Sequence, residues 1–234
     1  MKILALDSTA LVASVALCED GERLGELTIN NGNTHSETLL PMVEFLLKRF
    51  DMTPDDVDLF AVSAGPGSFT GVRIGAATIK GLAFDTEKPC VGVSTLEALA
   101  YNLNGFDGLI CPVMNARRKQ VYTALFRCKD GTLERLMPDS AIAITELDEK
   151  LSAYDEPVRL CGDGYDITLE NLTHPILPTP LPLRQQSAYS VAQVAKASFE
   201  KGLCGTDVDL APTYLRLSQA ERERLEKQGM DTGI

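Results

Sequence analysis

One junction constrains the fold of this chain more than any other. A strand-like run, Val57–Ser63, passes directly into Ala64-Gly65-Pro66-Gly67-Ser68-Phe69-Thr70-Gly71-Val72-Arg73-Ile74-Gly75, and a helix is expected over Val72–Phe84. A strand that turns over glycines into a helix belongs to an α/β unit. Gly65 and Gly67 permit backbone angles closed to other residues, and Ser68 and Thr70 can cap the helix. A helix N-terminus also offers free N–H groups and a positive dipole end, which suits an anion. The segment is not a P-loop, because no G-K-[ST] ending supplies a lysine for the phosphates. It also lacks the G-x-G-x-x-G spacing of a dinucleotide fingerprint. Two readings remain, a phosphate contact at Gly65 and Gly67 or a structural strand-to-helix turn, and the spacing favours the second.

Upstream of the junction, Ile3–Asp7, Val12–Cys18 and Arg23–Asn30 read as three strands, with a turn at Glu19-Asp20-Gly21-Glu22. A helix is expected over His35–Phe50. Thr34 is its expected N-cap, with Glu37 completing a capping box. Leu39, Leu40, Val43, Leu46 and Leu47 recur at helical spacing, and Pro41 is expected to kink the helix or mark its first turn. The second helix is lined with small residues, Gly75, Ala76, Ala77, Gly81 and Ala83. By analogy with membrane helices, such residues let another helix approach closely. The alternative is that they pack inside their own lobe. A strand at Cys90–Val93 and a helix from Ser94 or Thr95 to Asn102 close this half.

The second half repeats the theme. Leu109–Met114 resembles the opening strand, and Val121–Arg127 with Thr132–Leu136 reads as a hairpin. Val158–Cys161 is a strand ending in Gly162-Asp163-Gly164. Pro175, Pro178, Pro180 and Pro182 make a rigid connector, Ser190–Lys201 an amphipathic helix, and Ser218–Lys227 a charged, helix-prone tail. Repetition of one unit implies a duplicated fold. The element order is that of the α/β actin/Hsp70-like (ASKHA) class, with lobes at 1–105 and 106–234.

Composition narrows the functions. The 234 residues carry a formal net charge of −11, which repels a polyanion on average. The densest basic stretch, Arg117-Arg118-Lys119, is short enough to be a solvated turn. Any RNA substrate would therefore be held by a partner's positive surface. No apolar run approaches the roughly 20 residues of a membrane span, and the apolar N-terminus is too short for a signal peptide. A cytoplasmic location is expected. Cys18, Cys90, Cys111, Cys128, Cys161 and Cys204 form no C-x-x-C pair, so they are expected to be reduced and structural.

Leu4-Ala5-Leu6-Asp7-Ser8-Thr9, His35-Ser36-Glu37-Thr38-Leu39-Leu40-Pro41 and the Gly65–Gly75 run together resemble the TsaB (YeaZ) family. Gly92-Val93-Ser94-Thr95-Leu96-Glu97-Ala98-Leu99, Ala116-Arg117-Arg118 with Val121-Tyr122, and Pro212-Thr213-Tyr214-Leu215-Arg216 extend the match across nearly the whole chain. The resemblance implies a role with TsaD, TsaE and TsaC in making threonylcarbamoyladenosine beside the tRNA anticodon. It implies a heterodimer with a TsaD-type subunit that does the transfer chemistry, and a larger complex with a TsaE-type ATPase. The two subunits would pack through the first two helices. The expected interface is His35, Leu39, Leu40, Val43 and Leu47 on the first, and Arg73, Ile74, Ala77, Thr78 and Gly81 on the second. Alone, that apolar face would pair with a second copy.

An enzymatic role finds less support. TsaD-like proteins hold metal with two histidines one helical turn apart; here those positions are Thr95 and Leu99. The chain has two histidines, His35 and His174, and no H-E-x-x-H motif. No catalytic residue and no metal site are therefore assigned. Asp7 matches the carboxylate that organises metal and phosphates in ATPases of this fold, so Asp7, Ser8, Gly65 and Gly67 are the nucleotide candidates. The second lobe has Asn115 where TsaB relatives commonly carry Asp, which disfavours a hard cation. Gly162-Asp163-Gly164 resembles a remnant of an adenosine-side loop. No firmly bound cofactor is expected, and ATP or ADP at the partner interface is left open. The alternative function is an independent ATP-dependent phosphotransferase of the same fold.

Overall fold

The computed structural model describes residues 1–32 and 34–217. The first half contains β1 (Lys2–Asp7), β2 (Ala13–Glu19), β3 (Glu22–Ile29), α1 (His35–Arg49), β4 (Leu59–Gly65), α2 (Phe69–Ala83), β5 (Cys90–Ser94) and α3 (Thr95–Tyr101). The second contains β6 (Gly108–Asn115), β7 (Gln120–Lys129), β8 (Thr132–Ala143), α4 (Ile144–Leu151), β9 (Val158–Cys161), α5 (Tyr165–Leu169), β10 (Ile176–Leu177) and α6 (Ala188–Glu200).

The two sheets have one topology. The first runs β3-β2-β1-β4-β5 and the second β8-β7-β6-β9-β10. In each, the opening strand pairs antiparallel with the next and parallel with the fourth. Parallel neighbours need a crossover, and α1 and α4 occupy the corresponding connections. This is the duplicated α/β actin/Hsp70-like arrangement expected from the repeated element order.

Strand periodicity explains the layering. Successive side chains point to opposite faces, and β1 is central, so both faces must be apolar. Leu4 and Leu6 face one way and join Leu39, Met42, Val43, Leu46 and Leu47 of α1 and Ile79 and Ala83 of α2. Ile3 and Ala5 face the other way and join Ala188, Val191, Ala192 and Ala195 of α6. β6 does the same: Leu109, Cys111 and Val113 meet α4, and Ile110 and Met114 meet Leu96, Leu99 and Ala100 of α3 and Leu103 just beyond it. Each fully buried large side chain contributes about 1.5–3 kcal/mol.

The last helix of each half is exchanged. α6 follows the second sheet in the chain but packs on the first, and α3 follows the first but packs largely on the second. The expected lobes, 1–105 and 106–234, therefore do not describe where α3 and α6 pack. The exchange is tied by hydrogen bonds. Asn102 Nδ2 donates to the carbonyls of Leu183 (3.3 Å) and Gln185 (2.7 Å), and Ser190 Oγ donates to Asn102 Oδ1 (2.6 Å).

Several local expectations need correction. Thr34 precedes α1, but its side chain does not cap it; the Glu37 N–H is donated to the Thr34 carbonyl instead (3.0 Å). Pro41 lies inside α1, beyond its first turn. α2 begins at Phe69, three residues before Val72, because Ser68 Oγ accepts the Gly71 N–H (3.3 Å) and starts the helix early. β8 extends to Ala143, and the proline connector contains the short β10. α4 and α5 are additional helices, and Ile144, Leu147 and Leu151 of α4 have the i, i+3, i+7 spacing of a buried stripe. The expected Ser218–Lys227 helix lies outside the described residues. Among those described, no helix is long and apolar enough to cross a membrane.

Candidate functional site

The glycine-rich junction is built around the end of β1. A Cβ on Gly67 would sit 2.6 Å from the Thr9 carbonyl oxygen, and one on Gly71 only 1.9 Å from that of Ser8. Real Cβ atoms do not approach backbone so closely, so glycine here answers to the chain's own packing. The polar groups are used in the same way. The Ser68 N–H is donated to the Thr9 carbonyl (2.7 Å), and Ser8 Oγ donates to the Gly71 carbonyl (2.9 Å). As folded, the loop offers an anion fewer amides than its sequence suggested.

The second lobe repeats the device. Gly162 has φ of 103°, and a Cβ there would lie 2.1 Å from the Val113 carbonyl oxygen. The Gly164 N–H is donated to the same carbonyl (3.0 Å). Both glycine turns thus close onto the opening strand of their own lobe.

Each lobe places one carboxylate beside its glycine turn. Asp7 is buried; its Oδ1 accepts the Thr9 N–H (2.9 Å) and Thr9 Oγ1 (2.7 Å), and its Oδ2 accepts Ser63 Oγ (2.5 Å). Burial raises its pKa, and these hydrogen bonds oppose the rise. Asp163 keeps an exposed edge, yet the packing around it raises its pKa too, and the charge of Asp7 adds to the effect. Its Oδ1 accepts the Asn115 N–H (3.0 Å). Asp7, Ser8, Gly65 and Gly67 therefore come together, near enough to Asp163 for the two carboxylates to feel each other's charge.

A strap from the C-terminal part of the chain, residues 210–217, crosses the junction. The Thr213 N–H is donated to the Ala64 carbonyl (2.7 Å). Gly65, at φ of 117°, leaves room for the Thr213 carbonyl, which a Cβ would meet at 2.3 Å. The Tyr214 ring stacks on Phe69 with centroids 4.4 Å apart and planes 4° from parallel. Arg73 Nε donates to the Tyr214 hydroxyl (2.7 Å). Arg216 Nη1 reaches into the second lobe and donates to the Ala116 carbonyl (2.9 Å). The strap carries the motif Pro212-Thr213-Tyr214-Leu215-Arg216, whose local sequence does not reveal the partners it meets far away in the chain.

The expected interface residues divide into two groups. Leu39, Val43 and Leu47 are only 1%, 1% and 4% exposed, so they belong to this lobe's own core and cannot form an outer surface. Gly75, Ala76 and Ala83 are also buried, and a Cβ on Gly75 would meet Ser8 Oγ at 2.6 Å. Ile74 is partly buried at the edge of that core, and Thr78 Oγ1 donates to the Ile74 carbonyl (2.8 Å). His35 Nε2 contacts the Ala10 carbonyl at 2.6 Å and steadies the β1–β2 turn. By contrast, Leu40 is 53% exposed. Arg73, Ala77 and Gly81 are exposed at i, i+4 and i+8, one stripe along α2. A Cβ on Gly81 would meet nothing within 4 Å. Among the described residues nothing in the packing requires a glycine there, although mid-helix glycine costs about 1 kcal/mol relative to alanine.

The positions of the missing histidines carry structural groups. Leu99 packs in the core beneath the second sheet and Thr95 is buried beside it. Nearby, Arg135 bridges Glu97 Oε2 (2.6 Å) and Asp139, whose Oδ2 accepts Ser94 Oγ (2.6 Å), so this corner ties α3 to β8. His174 Nε2 contacts the Glu156 carbonyl (3.0 Å).

Comparison with known proteins agrees with the geometry. Residues 29–221 match the family described as "TsaD: tRNA N6-adenosine threonylcarbamoyltransferase". The chain is 36% identical over 230 residues to the "tRNA threonylcarbamoyladenosine biosynthesis protein TsaB" of Bacillus subtilis, covering 97% of this chain and 100% of that protein. Its similarity to the protein of that name from Escherichia coli is 37% over 130 residues, 54% of this chain and 55% of the other. Among solved structures, "YeaZ from Pseudomonas aeruginosa" superimposes with a TM-score of 0.79 at 26% identity, over 92% of this chain and 99% of that one.

Proposed function

This chain belongs to the TsaB family of tRNA threonylcarbamoyladenosine biosynthesis proteins, and from that premise we propose that it is a non-catalytic subunit that scaffolds and activates a TsaD-type enzyme. The partner docks on α1 and α2, which pack side by side. The observation that carries this reading is the α2 stripe of Arg73, Ala77 and Gly81. Small side chains let a second helix come close, and Gly81 costs helix stability with no return among the described residues. Leu40 adds apolar area on α1. In the absence of the partner, the same face pairs two copies of this chain. A TsaE-type ATPase joins the larger complex, and any ATP or ADP binds where the subunits meet. The net charge of −11 places tRNA contact on the partners.

Reconstitution tests the proposal. Threonylcarbamoylation of tRNA by TsaC, TsaD and TsaE proteins should require this chain. Gly81→Leu should abolish the activity this chain confers, together with complex formation, while the chain melts at or above the wild-type temperature. Full activity with Gly81→Leu would refute the docking face. Turnover of ATP by the isolated chain would favour the phosphotransferase instead.

A further inference from the structure

We propose that Tyr214 is a positioning residue for partner docking, holding Arg73 on the exposed stripe of α2 as a preset donor to a carboxylate of the partner subunit. The inference rests on the docking reading above and assigns the chemistry that the partner must bring.

The strap delivers Tyr214 to a defined place. Before it, the Thr213 N–H is bound to the Ala64 carbonyl, and Leu210 packs over Gly92 at 3.1 Å from where a Cβ would sit. After it, Arg216 is bound to the Ala116 carbonyl. The Tyr214 ring is then fixed by its stack on Phe69, the first residue of α2. Arg73 lies one helical turn further on. Its Nε is bound to the Tyr214 hydroxyl, and its guanidinium carbon sits 5.5 Å from the Tyr214 centroid and 5.8 Å from that of Phe69, within cation–π range.

An exposed arginine usually samples many rotamers, and a partner must freeze them on binding. Here that freedom is already lost. Only Nε is used: among the described residues, the two terminal nitrogens of Arg73 make no hydrogen bond or ion pair. They remain as a fork suited to a carboxylate. Arg73 stands one turn before Ala77 and two before Gly81 on the same stripe, so a helix lying on the small residues meets this fork at its end. The contact fits an Asp or Glu on that helix.

Titration calorimetry of the full chain against a TsaD-type subunit, at low and high salt, tests this. Arg73→Ala should weaken Kd by about tenfold or more and flatten its salt dependence. Arg73→Lys should not restore it, because an ammonium lacks the fork. Tyr214→Phe keeps the stack and loses the hydroxyl, so a loss of about threefold is expected. In the Arg73→Ala background the same Phe substitution should cost nothing, because both changes remove one contact. Additive losses, or wild-type binding by Arg73→Ala, would overturn the inference. So would unchanged protein binding by Arg73→Ala with weakened tRNA binding by the assembled complex, which assigns the fork to phosphate. Failure of the wild-type chain to bind any TsaD-type subunit would instead sink the docking reading itself.

Discussion

The Ser8 carbonyl oxygen lies so close to Gly71 that a Cβ on that glycine would sit 1.9 Å away. Nearly three turns along the same helix, a Cβ on Gly81 would meet no described neighbour within 4 Å. Gly71→Ala should therefore destabilise the chain severely, on the order of 3 kcal/mol or more, because backbone must shift. Gly81→Ala should stabilise the isolated chain by about 0.5–1 kcal/mol. Urea unfolding of the two variants checks both signs.

The leucines of α1 separate in the same manner. Leu39→Ala should cost about 2–5 kcal/mol, since the side chain is fully buried. Leu40→Ala should change stability by less than about 0.5 kcal/mol and show its effect in subunit affinity. Thermal melts alongside gel filtration with the partner distinguish the two effects.

Acid should act through Asp148 and Asp7 with opposite signs. Burial works against ionisation of Asp148, but hydrogen bonds from Thr173 and His174 outweigh it and lower its pKa below the ordinary 3.8. Its contribution is complete above that value and disappears as pH falls through the depressed folded value. Burial raises the pKa of Asp7 above 3.8. Its protonated form is favoured in the fold, so its contribution fades as pH rises from 3.8 through the raised folded value. Asp148→Ala should flatten the acid limb of a stability–pH curve. Asp7→Asn should flatten the fall just above it. The reverse assignment in pH-dependent urea melts would contradict these shifts.

The thiols offer a simple count. Five cysteines are buried and Cys204 is exposed. Burial pushes the pKa of Cys18 and Cys111 up to about 12 and that of Cys90 to about 11, which leaves almost no thiolate at neutral pH. A thiol reagent should label one cysteine rapidly in the native protein and all six after denaturation. More than one fast site would mean that a core strand opens readily.

Local pattern carried much of this protein. Alternation in β1, the turn at Asp20 and Gly21, and the passage from β4 to α2 through Gly65 and Gly67 are written in residues within a few positions of one another. Repetition of that order was enough for the duplicated fold, and the runs at Leu4–Thr9, His35–Pro41 and Gly65–Gly75 together for the family. Local pattern could not say which neighbour each face meets. The apolar stripe of α1 has the same spacing whether it faces a partner or the sheet; Leu39, Val43 and Leu47 turned inward because β1 and β2 needed a cover. The glycines of α2 look alike in the chain, yet Gly71 is pressed on Ser8 and a Cβ on Gly81 would meet no described neighbour. Contacts between residues far apart in the chain decided the rest: the exchange of α3 and α6 between the sheets, Asp163 holding the Asn115 N–H, and Tyr214 pinning Arg73 from 141 residues away. Such contacts depend on where whole elements come to lie, and only tertiary packing determines that.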